Sequence, residues 1–229
     1  MTRALAWSWL GRVGYRAAWE LQESLRARIL AGDERAERLL FLEHDPVVTL
    51  GRGASAGSVL ASEDELGRRG VELIRTSRGG DATVHGPGQL VIYPVLRLRA
   101  GVRAHVEGVG HAIAEELRER GVAAAWRPNP AGVWVDGPTG GKIAACGVHV
   151  ARGVAIHGFA LNVGEELREL FSLIVPCGLS CARVTTMQTE GAAAHLALAD
   201  LAAALAPRIA RALGREVAKA CPADASTPR

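Results

Sequence analysis

The sequence predicts an α+β fold, one domain built on a mixed sheet. Strand-like apolar runs and amphipathic helical patterns intermix along the whole chain, which calls for helices packed on a sheet. The antiparallel signals, strand pairs joined by tight turns, concentrate after residue 120, which argues against a doubly wound parallel sheet. No internal repeat and no Pro-, Gly- or Ser-rich linker divides the 229 residues. The expected organisation is a single domain over residues 1–218 and a frayed tail over 219–229.

Ala4–Leu10 reads as the first strand. Tyr15–Ala31 carries Trp19, Leu21, Leu25, Ile29 and Leu30 at a mostly helical spacing, and Gly32 fits a helix stop. Arg38–Glu43 and Val47–Leu50 read as strands separated by Asp45-Pro46. Ser62, followed by Glu65, has the form of a capping box opening a short helix to Gly70. Val71–Arg75 is a strand. Arg78–Gln89 holds five glycines and prolines in 12 residues and reads as a loop. Leu90–Leu98 is a β-branched strand and Ala104–Arg120 a helix. Val122–Trp126 and Gly132–Val135 are strands around the turn RPNPAG. Gly147–Ala151 and Val154–Val163 form a hairpin across Arg152-Gly153. Glu165–Phe171 is a short helix, Ser172–Ala182 irregular, and Ala192–Leu213 a helix that Pro207 bends or splits.

Composition narrows the function classes. Hydrophobic residues make up 48% of the chain and charged residues 22%, which excludes disorder as the main state. No apolar run reaches the ~20 residues of a membrane span. The N-terminus lacks a signal-peptide pattern, so a cytoplasmic protein is expected. A net charge of +3 against 24 acidic residues is too mild for a nucleic-acid binder. Of the 27 basic residues only Lys142 and Lys219 are lysines. An arginine excess of this kind reflects genome composition, but it isolates one lysine inside a glycine-rich segment.

Four segments can carry chemistry. In RGGDATVHGPGQ, Arg78–Gln89, paired glycines let the backbone approach a ligand, and Arg78, Asp81, Thr83, His85 and Gln89 are spaced through it. It lacks the Gly-Lys-Ser/Thr of a phosphate-binding Walker loop. In Gly140–Gly147, Lys142 has little solvating company, and partial burial of such an amine lowers its pKa and suits it to base chemistry. In Val175-Pro176-Cys177-Gly178, a cysteine sits on a backbone fixed by Pro and Gly; beside a cation its thiolate fraction would rise. Cys146, in a run of small apolar residues, reads as a structural cysteine. Cys181 completes only a Cys-x3-Cys with Cys177, and nothing completes a metal site. Cys221 has no evident role. In His157–Val163, Asn162 could tie down a neighbouring loop, and His157 reads equally as a core histidine.

Together these segments resemble the octanoyltransferase, or lipoyl(octanoyl) transferase, family of lipoate biosynthesis. The matching residues are Arg78-Gly79-Gly80-x-x-Thr83-x-His85-x-Pro87-Gly88-Gln89, Gly141-Lys142-Ile143-Ala144-x-x-Gly147, His157-Gly158-x-Ala160-Leu161-Asn162-Val163 and Pro176-Cys177-Gly178. They stand in family order from about Phe41 to Met187. The resemblance implies the mixed-sheet fold shared with biotin and lipoate protein ligases, and a catalytic acyltransferase domain. It implies transfer of an octanoyl group from acyl carrier protein to a lysine of a lipoyl domain, with Cys177 holding the acyl group and Lys142 lowering the cysteine's pKa. The implied acyl-binding residues are Arg78, Gly79, Gly80, Asp81, Ala82, Thr83, Val84 and His85, then Ala145, Cys146 and Gly147, then Gly158, Phe159 and Ala160. The implied acceptors are the lipoyl domains of 2-oxoacid dehydrogenase complexes and the glycine cleavage H protein. No cofactor, metal, nucleic acid or membrane is implied. Cys146 stands where many relatives carry an aliphatic residue, and Phe159 where they often carry leucine. The competing readings are an ATP-dependent lipoate or biotin protein ligase, which needs no cysteine, and a non-catalytic acyl-binding module, which needs neither Cys177 nor Lys142.

Overall fold

The structure, a computed structural model, describes residues 4–138, 140–175, 183–192 and 196–218. Seven strands form the main sheet in the order β1 (Ala6–Val13), β2 (Arg38–His44), β6 (Gln89–Arg97), β10 (Val154–Asn162), β9 (Gly141–Ala151), β8 (Ala131–Val135) and β7 (Ala124–Pro128). Only β1 and β2 run parallel; every other neighbouring pair is antiparallel. A second sheet has the order β4 (Glu72–Arg75), β3 (Val47–Leu50), β5 (Ala82–His85), with β3 parallel to β4 and antiparallel to β5. The fold is therefore α+β with mixed sheets.

The period of two along each central strand sorts side chains between two cores. Leu39 and Phe41 of β2, with Leu90 and Ile92 of β6, join the core beneath α3 (Gly101–Glu119) and α5 (Leu198–Ala212). Leu40 and Leu42, with Val91, Tyr93 and Val95, join the core beneath α1 (Tyr15–Leu30). Strands buried on both faces read as unbroken apolar runs, which is why VIYPVL shows no alternation. A third cluster joins the small sheet to α2 (Glu63–Arg68) and to Leu173 and Ile174, beyond α4 (Leu167–Phe171).

Several local expectations change. Arg78–Gln89 is not all loop: Ala82–His85 is β5, because Thr83 and Val84 give strand propensity and β3 offers a free edge. The α2 cap is half of a capping box. Ser62 Oγ accepts from the Glu65 amide at 3.2 Å, while Glu65 turns outward to pair with Arg69 at 2.9 Å. Helix α3 starts at Gly101, before the expected Ala104. Helix α5 runs unbroken through Pro207 but begins only at Leu198. Thr139, residues 176–182 and 193–195, and the tail 219–229 lie outside the described residues, so Cys177, Cys181, Lys219 and Cys221 do too.

The turn after α5 is tied back by a buried ion pair. Arg215 Nη1 lies 2.7 Å from Glu37 Oε2, and both side chains are at most 9% exposed. Glu37 Oε1 also accepts the Arg97 amide at 2.9 Å. Arg215→Ala strands a buried carboxylate and should cost about 3–5 kcal/mol in urea unfolding. Glu37→Gln combined with Arg215→Met keeps the acceptor and the packing, and should cost much less.

Candidate active site

The segment between β4 and β5 lies across β9, its Gly79 amide donating to Val148 O at 3.0 Å. Arg78 turns inward and is buried. Its guanidinium donates to Thr49 O at 2.5 Å and to Thr49 Oγ1 at 2.8 and 3.0 Å, and to Gly79 O at 3.0 Å. The arginine therefore clamps the glycine-rich segment onto β3.

A buried hydrogen-bond chain then links the sequence motifs. His85 Nδ1 is 2.7 Å from Gln89 Oε1, which fixes the proton on Nδ1. Gln89 Nε2 donates to Asn162 Oδ1 at 2.9 Å, and Asn162 Nδ2 donates to Thr185 O at 3.2 Å. The Thr185 amide donates to Lys142 O at 3.2 Å, and the Lys142 amide donates to Arg183 O at 2.8 Å. Three motifs far apart in sequence thus converge, and residues 183–185 are held against Lys142.

These elements enclose a cavity of about 370 Å³, within the range of small-molecule sites. Lys142, 6% exposed, enters it from β9 with Nζ 4.9 Å from the Trp134 ring centroid. Gly132 makes room for its stem, since a Cβ there would lie 3.1 Å from Lys142 Cε. Gly147 and Gly158 face each other across β9 and β10. A Cβ at Gly158 would lie 2.2 Å from Ile92 O, so only glycine fits.

The expected residues Arg78, Gly79, Gly80, Asp81, Ala82, Thr83, His85, Ala145, Cys146, Gly147, Gly158, Phe159 and Ala160 all border this cavity. Val84 does not. It is fully buried in the cluster beneath the small sheet, because alternation along β5 turns it away from Thr83 and His85. The cavity also takes in Tyr15, Tyr93, Val106, Pro130, Ala131 and His157. In the sequence Tyr15 and Val106 look like ordinary helix positions and Tyr93 like a core strand residue. His157, on β10, was readable only as one of two possibilities.

Burial governs the electrostatics. It pushes the His44 pKa down to about 4, and His44 holds Val13 O at 2.7 Å and Tyr93 Oη at 2.9 Å. It pushes His157 down to about 3 and His85 well below the ordinary histidine value. Tyr15 is pushed up to about 12 by burial. The Cys146 thiol also rises to about 12 by burial, partly offset by the Lys142 charge. Cys146 is therefore a protonated thiol at neutral pH. Among the described residues no group of three or more His, Cys, Asp or Glu could hold a metal ion. No described helix is long and apolar enough to cross a membrane.

Comparison with known proteins places this arrangement. Residues 14–210 match the lipoyl protein ligase A/B catalytic domain. An octanoyltransferase of Solibacter usitatus is 47% identical over 190 residues, covering 82% of this chain and 84% of that protein. The chain belongs to the octanoyltransferase family. Solved structures extend the likeness at the level of fold alone. A bipartite lipoate protein ligase of Thermoplasma acidophilum superposes with a TM-score of 0.68 at 18% identity, covering 97% of this chain and 88% of that one. The biotin protein ligase of Aquifex aeolicus gives 0.53 at 15% identity, covering 91% and 70%. The family match spans every motif segment quoted from the sequence.

The buried histidines set a pH dependence with a definite sign. His44 and His105 titrate near 4, and His157 near 3, in the folded state, each lowered chiefly by burial. Below about 6.5 the unfolded chain takes up protons that the fold refuses, so stability falls as pH drops from about 6.5 towards 4. Each histidine contributes up to ~1.4 kcal/mol per pH unit in that window. Urea midpoints measured from pH 7 to pH 5 should decline, and His105→Leu should flatten the decline. Both ring nitrogens of His105 are buried without a partner among the described residues, so that substitution forfeits no hydrogen bond there.

Proposed function

We propose that this octanoyltransferase takes an octanoyl group from acyl carrier protein onto Cys177 and passes it to a lysine of a lipoyl domain. The observation that carries the reading is the placement of Lys142. It is a buried lysine bordering the cavity, with its backbone hydrogen-bonded to residues 183–185, which follow Cys177 in the sequence. On the other side the Val175 amide donates to Ser58 O at 2.9 Å, and Ser58 Oγ donates to Asp81 Oδ1 at 2.5 Å at the cavity border. Cys177 is two residues beyond Val175, a span of at most about 7 Å of extended chain. Cys146, which borders the cavity, is held as a neutral thiol and is a poor nucleophile.

Proton balance gives Lys142 three transfers. It takes the Cys177 proton, leaving a thiolate beside an ammonium. The thiolate attacks the octanoyl thioester carbonyl, and the tetrahedral oxyanion collapses to expel the carrier's thiolate. The Lys142 ammonium protonates that leaving group and becomes a neutral amine. The acceptor lysine then attacks the Cys177 thioester, an amide forms, the Cys177 thiolate leaves, and Lys142 accepts the acceptor's proton. Amides around Gly147 and Gly158 would stabilise the oxyanion. The apolar part of the cavity, with Val106, Phe159 and Ala160, takes the acyl chain.

The proposed acceptors are lipoyl domains of 2-oxoacid dehydrogenase complexes and the glycine cleavage H protein. The Thermoplasma ligase is described together with its E2 lipoyl domain, an acceptor of the same class. Residues 1–218 would act as one catalytic domain in the cytoplasm, without nucleotide or metal.

Incubation with octanoyl-acyl carrier protein should give an octanoyl adduct on Cys177 by peptide mass spectrometry, and none in Cys177→Ala. Lys142→Ala should slow transfer by roughly 10²-fold or more and shift the acylation pH profile upward. Transfer that requires ATP, or an adduct confined to Cys146, would refute the assignment.

A further inference from the structure

Asp81 is the one carboxylate that borders the cavity among the described residues. It is half-buried and stands between the paired glycines and β5. Its backbone is pinned by close neighbours: Asp81 O accepts the Gly51 amide at 3.2 Å, and Gly80 O accepts the Gly53 amide at 3.0 Å. Its side chain is pinned through one oxygen. Asp81 Oδ1 accepts from Ser58 Oγ at 2.5 Å and from the Ala82 amide at 2.7 Å. Oδ2 takes no hydrogen bond, and the carboxylate makes no ion pair, among the described residues. Gly79 and Gly80, just before it, put no side chain in the way of an approaching group.

Ser58 links this carboxylate to the chain that leads to Cys177. Its hydroxyl donates to Asp81, and its carbonyl accepts the Val175 amide at 2.9 Å, two residues before the cysteine. The reaction proposed above gives a carboxylate here something to act on. The acceptor lysine arrives as an ammonium and loses one proton to water to free its lone pair. Its nitrogen becomes positive again as it bonds to the thioester carbon. Lys142 takes the second proton, the C–S bond breaks and the Cys177 thiolate leaves with the electron pair. The reacting nitrogen is thus cationic on arrival and again in the tetrahedral adduct, in a cavity that Arg78 and Lys142 also border. A fixed carboxylate beside it stabilises both states and lowers the barrier measured from the free ammonium.

We propose that Asp81 is the acceptor-recognition residue of this site. Its Oδ2 meets the ammonium of the acceptor lysine and then the cationic nitrogen of the adduct. Its Oδ1, held by Ser58 and the Ala82 amide, fixes the carboxylate before the acceptor arrives, so no reorganisation is needed during the reaction. The same charge repels an anionic nucleophile such as a thiolate. Asp81 therefore favours an amine over a thiol as the final acceptor and opposes return of the acyl group to a thioester. This assignment rests on the octanoyl-transfer reading.

Partition of the octanoyl-enzyme between two nucleophiles tests the assignment. Acyl-enzyme separated from the carrier is mixed with excess unmodified lipoyl domain or with dithiothreitol, and loss of the Cys177 adduct is followed by mass spectrometry. Asp81→Asn keeps the Oδ1 acceptor for Ser58 and Ala82 and removes the charge. It should lower the second-order rate constant for transfer to the lysine about tenfold, the effect of losing one charge-assisted contact. Transfer to dithiothreitol, which reacts as a thiolate, should not fall with it, so the amine-to-thiol ratio drops by about tenfold or more. An unchanged ratio overturns the assignment. So do equal falls with both nucleophiles, because they would limit Asp81 to shaping the Ser58 segment. In either case the Cys177 adduct still forms and the octanoyl-transfer reading stands. If the unaltered enzyme forms no Cys177 adduct, that reading fails, and the role of Asp81 with it.

Discussion

Sheet pairing lapses where β6 meets β10, and Tyr93, His157 and Gly158 at that lapse border the cavity. Pro94 has no amide to offer, and His157 sends its amide to Gln22 of α1 instead of to β6. On the other edge β10 remains paired to β9 through Gly158 and Gly147 without interruption. One border of the cavity is thus continuous sheet and another is the unpaired stretch of β6 and β10. The buried chain from His85 through Gln89 and Asn162 to the segment beside Lys142 holds the two together. Such networks are costly when incomplete, so each member constrains its neighbours.

The chemistry of the enclosed groups follows from burial more than from charge pairing. Histidines are held neutral and Tyr15 and Cys146 protonated, so none of them adds charge to the cavity at neutral pH. Arg78 is engaged with Thr49 and the backbone of its own segment. Lys142 is then the group whose proton the proposed reaction moves.

Most of the fold was legible because its signals are local. The helix over residues 15–30 and the Arg152-Gly153 hairpin come from periodicity and turn chemistry, and these survive tertiary context. β5 was hidden because glycines and prolines flank a four-residue strand whose stability comes from β3. The motif segments pointed to the cavity because close backbone approach demands glycine and buried links demand Gln89 and Asn162. Tyr15, Tyr93 and Val106 gave no such signal: an apolar or aromatic residue lining a cavity obeys the same pattern as one lining a core. The left-handed backbone of His157, φ 58°, was invisible for another reason. It opposes the local preference of the residue and depends on Gln22, Trp19 and Ser77, all distant in sequence.

The two backbone anchors at Val175 and Arg183 have an entropic consequence. Val175 and Arg183 are hydrogen-bonded to Ser58 and to Lys142, so their separation is set when the domain folds. Seven residues of sequence lie between them, and closing so short a segment costs little entropy. On the proposed function, Cys177 and Lys142 would meet as intramolecular partners, at an effective molarity far above that of a free thiol. Selectivity for Cys177 over competing thiols would then reside as much in chain connectivity as in acidity.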